Sequence, residues 1–277
     1  MTLHLRVTML AACTVLGCGT PAPPLNPPQQ SAQTASAAAA RALERGDGKQ
    51  ALTLYSRALA AAESVEDFAA AGTALLNLAL LHQGQGELAA AHARLDRILN
   101  APQRYGAALQ ARAATRKALL YLDSAQPGEA LRWADTAQVA CAAPCELGAV
   151  LANLRAHVAL QSGDAAAAAS LAALAQTLAA DQSAEQANAL RQLGRAQLQL
   201  GQFNQASASL AQALAIDQRL GLPERVGLDL LLAGDAELQR GQRGAAREFF
   251  ERALTVYAAA GASKAAEAVR ARLAALN

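Results

Sequence analysis

Alanine recurs at a nearly fixed interval along most of this chain, and a repeat of that length narrows what the chain can fold into. Six segments share one pattern. A turn of small or polar residues is followed by an alanine, then a larger or apolar residue near four positions on, then an apolar residue near seven. The marker alanines are Ala51, Ala91, Ala130, Ala168, Ala206 and Ala246, spaced by 40, 39, 38, 38 and 40 residues. Self-similarity at such a period marks stacked arrays. Composition decides what is stacked. Hydrophobic residues make up 53% of the chain but aromatics only 3%, so alanine and leucine carry the apolar content. Both lose little side-chain entropy in a helix, and β-branched residues are scarce. The expected fold class is all-α.

An array is also what the energetics require. An isolated helix of about 12–15 residues is marginal in water. Burying a leucine contributes roughly 1.5–3 kcal/mol, whereas an alanine-lined hairpin has little area to bury alone. Stacking several hairpins is how a core accumulates.

The spacing of Leu193, Gly194, Gly201, Ala206, Leu210 and Ala213 resembles the tetratricopeptide repeat. Leu78-Ala79 ahead of Gly86, Ala233-Gly234 ahead of Gly241, and Ala118 with Tyr121 ahead of Ala125 follow the same signature. The resemblance covers roughly residues 32–260. It implies a right-handed superhelical solenoid of about six helix pairs, in which small residues let antiparallel helices approach closely. The family period is about 34 residues, so the longer interval here implies helices longer by about a turn or extended connections. The first and fourth repeats fit least well, with Arg155 where an apolar residue is expected. Residues 262–276 read as an amphipathic helix capping the end of the array, as a solenoid requires.

The N-terminus reads as an export signal. Residues 1–17 place Arg6 ahead of an uncharged, mostly apolar stretch, Val7–Leu16, too short to span a bilayer. Val15-Leu16-Gly17-Cys18 resembles the lipobox of bacterial lipoproteins, which implies acylation of Cys18 after cleavage and anchoring by two or more acyl chains. Leu10-Ala11-Ala12-Cys13 also fits the lipobox, but leaves a shorter apolar run after Arg6 than such signals use. Gly19 in the next position points, by resemblance, to the outer membrane and its periplasmic face. The prolines at 21, 23, 24, 27 and 28 predict an extended tether over residues 18–35, reaching several tens of ångströms from the membrane. The expected organisation is a signal peptide (1–17), a tether (18–35) and a solenoid (36–277).

A formal net charge of +2 with no run of like charges gives no electrostatic reason to propose nucleic acid. Cys141 and Cys145, in Cys-Ala-Ala-Pro-Cys, suit a local disulfide in an oxidising compartment, with thiol exchange as the alternative. His82, His92 and His157 lack metal-ligand spacing, and a structural metal site wants four ligands. No serine sits in a Gly-x-Ser-x-Gly turn, and Gly84-Gln85-Gly86 is a helix connection, not a phosphate loop. Trp133 reads as a packing residue. No enzyme and no cofactor is expected.

In the tetratricopeptide family, the first helix of each pair lines a concave surface that binds peptides. Carrying the register over implies a groove bearing Asn77, Arg112, Arg116, Asn153, His157, Asn188, Arg191, Arg195 and Asp235. Arg112/Arg116 and Arg191/Arg195 are i, i+4 pairs, each on one helix face. Guanidinium forks suit carboxylates, so a partner segment with acidic groups or a free C-terminus is expected. The leading expectation is a scaffold for envelope proteins, anchored to the membrane by lipid. A ligand-responsive sensor built on the same superhelix is the alternative. The sequence sets no oligomeric state.

Overall fold

A computed structural model describes residues 24–276; the signal segment and Cys18 lie outside the described residues. Among the described residues there are thirteen helices and no strand. The first two pairs are α1 (Pro27–Glu44) with α2 (Gly48–Glu63), and α3 (Phe68–Gly84) with α4 (Leu88–Leu99). The third and fourth are α5 (Ala107–Asp123) with α6 (Pro127–Ala140), and α7 (Gly148–Gln161) with α8 (Ala165–Leu178). The last two are α9 (Ala184–Gln199) with α10 (Phe203–Leu220), and α11 (Pro223–Gln239) with α12 (Arg243–Ala259). A single helix, α13 (Ser263–Ala274), packs against α12 and closes the array.

Local chemistry starts and stops these helices. The side chains of Asp47, Asp67, Asp164 and Ser183 each accept a backbone N–H two or three residues into the helix they precede, satisfying one of the donors a helix start leaves orphaned. Within five of the pairs a glycine in the left-handed region makes the turn, as at Gly201 (φ 73°). The long period comes from both sources the sequence allowed. Most helices run 14–18 residues, and the connections at 100–106 and 141–147 are seven residues each.

The expected tether is shorter than its prolines suggested. The first helix begins at Pro27, so residues 27–35 belong to the solenoid, and Ala32 and Ala35 are buried in it. Asn26 caps this helix by accepting the Gln29 N–H at 2.9 Å, while Gln29 Oε1 accepts the Asn26 N–H at 3.2 Å. Pro27 and Pro28 occupy the first helical turn, where a missing N–H costs nothing and a fixed φ helps.

All six marker alanines are fully buried. They sit where second helices cross first helices, and the gaps there are small. A Cβ on Gly194 would come within 2.7 Å of Leu210 Cγ, and one on Gly234 within 2.4 Å of Phe250 Cε1. Small residues on one helix thus make room for the few large side chains of the other, Phe250 and Leu210 being fully buried. Arg155, misplaced by the repeat pattern, escapes the core by pairing with Asp135 at 2.9 Å. Trp133 is packed among the third and fourth pairs, with Lys117 Nζ 4.3 Å above its ring and paired with Asp96. Successive first helices touch one another while successive second helices hardly do, so the array curves with its first helices inside.

One joint is ionic. Arg191 on α9 donates from Nε to Asp229 Oδ1 on α11 at 2.6 Å, and from Nη2 to Asp217 on α10. Both carboxylates are fully buried and Arg191 is nearly so. Two acids share one guanidinium, and Asp217 Oδ1 has no partner. Burial pushes the Asp229 carboxyl up to about 6; the Arg191 contacts pull against that shift, and Asp217 adds to it. Such a buried cluster adds little net stability over an apolar replacement, but breaking it is costly, so it fixes how the fifth and sixth pairs dock.

Two predictions follow from this packing. Ala206→Asp, which buries an unpaired charge, should lower the melting temperature by on the order of 10 °C. Ala208→Asp, on the exposed side of the same helix, should leave it nearly unchanged; equal melting of the two variants would refute the register. The second concerns pH. Because the Asp229 pKa is higher folded than unfolded, its contribution to stability is full below about pH 4 and is lost as pH rises through about 6. Asp229→Asn should therefore gain in thermal stability relative to the parent between pH 4.5 and 7.5, and a difference constant with pH would count against the buried carboxyl.

Candidate functional site

The candidate site is the inner face made by the first helices. Most of its polar side chains are engaged with the neighbouring repeat, at separations close to one period. Gln83 on α3 donates to Asp123 on α5 at 2.6 Å, 40 residues on. Arg195 on α9 donates from Nη1 to His157 Nδ1 on α7 at 3.3 Å, 38 residues back. Gln199 reaches the Leu160 carbonyl at 3.4 Å, 39 residues back. These contacts stitch the inner wall repeat to repeat, and none was expected from residue types alone. The usable signal was their separation, since residues about one period apart on first helices become neighbours.

The structure divides the expected groove residues into two groups. Several are committed internally. Arg191, expected in the groove, is buried in the ionic joint with Asp217 and Asp229, because adjacent first and second helices place two acids against it. Asn188 accepts from Arg191 Nη1 at 2.7 Å. Asn153 is buried and donates to the Glu185 carbonyl at 3.0 Å and to Glu185 Oε2 at 3.1 Å. Arg112 lies exposed and pairs with Glu146 at 2.8 Å. Asp235 faces Arg272 of α13 at 3.4 Å, and burial raises its pKa while Arg272 opposes the shift.

The second group remains available. Asn77 and Arg116 are half-buried with no hydrogen-bond or ion-pair partner among the described residues. Arg195 is half-buried too, and its partners are the neutral acceptors His157 Nδ1 and Gln192 Oε1. Burial lowers the pKa of Arg116, and burial together with Arg191 lowers that of Arg195; a guanidinium stays charged at neutral pH regardless. His157 lies on the helix between them. Its pKa is lowered by burial and by Arg195, with Asp123 opposing, which matches an imidazole accepting at Nδ1. The i, i+4 arginine pairs of the sequence therefore do not act as pairs. Each contributes one unneutralised guanidinium, from α5 and from α9.

The same inner position, eleven residues before the marker alanine, is occupied in turn by Leu80, Leu119, His157, Arg195 and Asp235. At this position the residue is apolar in the second and third pairs, with Leu80 exposed, and polar in the last three. His82 is buried against Glu87 at 2.7 Å, and His92 packs at a tilt against Tyr121 with ring centroids 4.8 Å apart. Cys141 and Cys145 are bridged, with Cα atoms 5.4 Å apart, in the connection between α6 and α7. Among the described residues, no cluster of histidine, cysteine and acidic side chains is placed to hold a metal ion, and no helix is long and apolar enough to cross a membrane.

No protein-family model matches the sequence, and no curated relative does. Similar solved structures exist. A chain of the APC/C hetero-tetramer Cut9–Hcn1 matches with a TM-score of 0.68 at 15% identity, over 86% of this chain and 42% of that one. This chain thus spans under half of that protein. PilW, described as a widely conserved type IV pilus biogenesis factor, matches with a TM-score of 0.61 at 18% identity, over 87% of this chain and 98% of PilW. PilF of Pseudomonas aeruginosa matches with a TM-score of 0.58 at 16% identity, over 89% and 100%. At these identities the likeness is one of fold. With six helix pairs at a period of 38–40 residues, small residues where the helices cross and its first helices inside the curve, the chain has the fold of a tetratricopeptide-repeat solenoid.

Proposed function

We propose that this chain is a non-catalytic scaffold that holds a segment of another envelope protein on its inner face, while acyl chains on Cys18 hold it to the outer membrane. The observation that carries the binding reading is the state of Arg116 and Arg195. Two half-buried guanidiniums without a carboxylate, on either side of neutral His157, are poised for acidic groups that the fold itself does not supply. Partly desolvated guanidiniums bind carboxylates more strongly than exposed ones do, because water competes less. Leu80 and Leu119 extend the face toward the N-terminal pairs as an apolar strip. The partner segment that fits is therefore extended or helical, with acidic groups spaced to meet Arg116 on α5 and Arg195 on α9 and aliphatic side chains for Leu80 and Leu119.

The anchoring half of the reading rests on the lipobox-like Val15-Leu16-Gly17-Cys18. The bridged Cys141 and Cys145 support an oxidising compartment such as the periplasm, where disulfides persist. PilW, a pilus biogenesis factor, shares the fold, which is compatible with work in the envelope.

Site-specific photocrosslinking from position 119 or 157 in cells should capture a partner, and the purified partner segment should bind with an affinity that falls as salt rises. Arg116→Gln combined with Arg195→Gln, which removes both charges but keeps an amide donor toward His157, should weaken that binding by roughly 10- to 100-fold while the chain stays folded. Unchanged affinity in the folded double variant would remove the inner face as the binding surface.

A further inference from the structure

The two edges of the array differ in chemistry. In a stack of antiparallel hairpins the turns inside pairs fall on one edge, and the connections between pairs on the other. Most of the turns are polar, as in Arg45-Gly46-Asp47, Gln85-Gly86-Glu87 and Ser162-Gly163-Asp164, with Leu200 the exposed leucine of the fifth. Around the third pair the opposite edge is apolar. Pro102, Ala107, Val139 and Ala140 line an open hollow of about 650 Å³ together with Gln110, Asp135 and Thr136, the Asp135 carboxylate being paired with Arg155. Val139 is 89% exposed, the most exposed of the large hydrophobic residues, and Ala142, Ala143 and Pro144 beside it are exposed as well. Scattered surface leucines need no explanation, but a bare valine beside exposed alanines and prolines does.

The chain enters the solenoid on this same edge. Gln29, in the first turn of α1, donates to Asp67 in the connection that precedes α3 at 3.3 Å. Phe68 at the start of α3 meets Tyr105 of the following connection edge-to-face, with centroids 6.1 Å apart. Arg112 near the start of α5 reaches Glu146 in the next connection. The edge is continuous from Asn26 to the bridged loop. With α1 starting at Pro27, only seven residues, and so eight Cα-to-Cα steps, lie between Cys18 and the helix cap at Asn26. At no more than about 3.6 Å per residue, the first pair lies within roughly 30 Å of an acylated Cys18.

We propose that the edge carrying the connections faces the bilayer, and that Val139 and the residues around it rest on the lipid surface. This rests on acylation of Cys18 as proposed above. The acyl chains supply the attachment, so a small apolar contact suffices, because a tethered surface meets the bilayer at high effective concentration. The short span from Cys18 to Asn26 argues for the bilayer as the occupant, since the anchored end of α1 lies on this edge, beside Asp67 of the first connection. The polar turns and the inner face are left open to a protein partner.

The test uses the full acylated protein in vesicles of phosphatidylethanolamine and phosphatidylglycerol carrying bromine high on the acyl chains. Trp133→Phe removes the single tryptophan, and a new one is placed by Val139→Trp or, on the far edge, by Leu200→Trp. The Val139→Trp emission should be quenched more than about twofold by the bromolipid, and the Leu200→Trp emission should not. Protein that floats with the vesicles yet shows no quenching from Val139→Trp, or equal quenching at both positions, overturns the orientation and leaves the anchor intact. A Cys18→Ala variant that still floats overturns the anchor itself. In the unaltered chain, vesicles should slow hydrogen exchange in residues 100–106 and 141–147 but not in 85–87 or 162–164; no such contrast also overturns the proposal. So does shielding of Val139→Trp that appears only after other envelope proteins are added, which would assign the patch to a protein.

Discussion

The stack depends on small residues at the points where its helices cross, which leave room for a few large side chains from the facing helix. A hairpin lined with alanine has little apolar area of its own to remove from water, yet its flat faces allow helices to approach closely, and close approach maximises contact per unit length. The six marker alanines and glycines such as Gly194 and Gly234 make up that spine, and isolated large side chains such as Phe250 and Leu210 are set into the gaps opposite them. A surface of this kind tolerates neither added bulk nor a buried charge. The core is therefore distributed along the array, and each pair owes its order to its neighbours.

The same geometry explains what the inner face can do. Because first helices touch one another around the inside of the curve, residues about one period apart in sequence come into hydrogen-bonding reach, and most polar groups there are used to bind repeat to repeat. Arg191 is taken into a buried joint with two carboxylates, and what remains unneutralised is Arg116 and Arg195. The recognition chemistry of the face is thus a remainder. It consists of the charges that the demands of stacking did not consume, and its sign follows from which partners the neighbouring repeats happen to supply.

Much of the fold was legible in the sequence, because a period survives weak individual repeats. Spacing placed the alanines at helix crossings and located the turns, and the amphipathic pattern of residues 262–276 located the C-terminal cap. The N-terminal boundary was not legible: prolines that extend a chain in one context open a helix in another, and only the reciprocal cap between Asn26 and Gln29 distinguishes the two for Pro27 and Pro28. The site was less legible than the fold. Residue type and helix register put Arg191 on the inner face. Its fate was decided by Asp217 and Asp229, 26 and 38 residues away, and sequence cannot show which acids face a given guanidinium until the helix pairs are docked. Arg116 and Arg195 emerged as the available pair only after their i, i+4 companions had been accounted for.

The central claim is that the hairpins have no stability apart from their stacking. It is tested most directly by far-ultraviolet circular dichroism on a nested series of fragments beginning at residue 24 and ending after α2, α4, α8 and α13. Helix content per residue and melting temperature should rise with each addition, the first hairpin alone being largely unfolded. A first hairpin that is fully helical and melts cooperatively at the temperature of the whole chain would contradict the account.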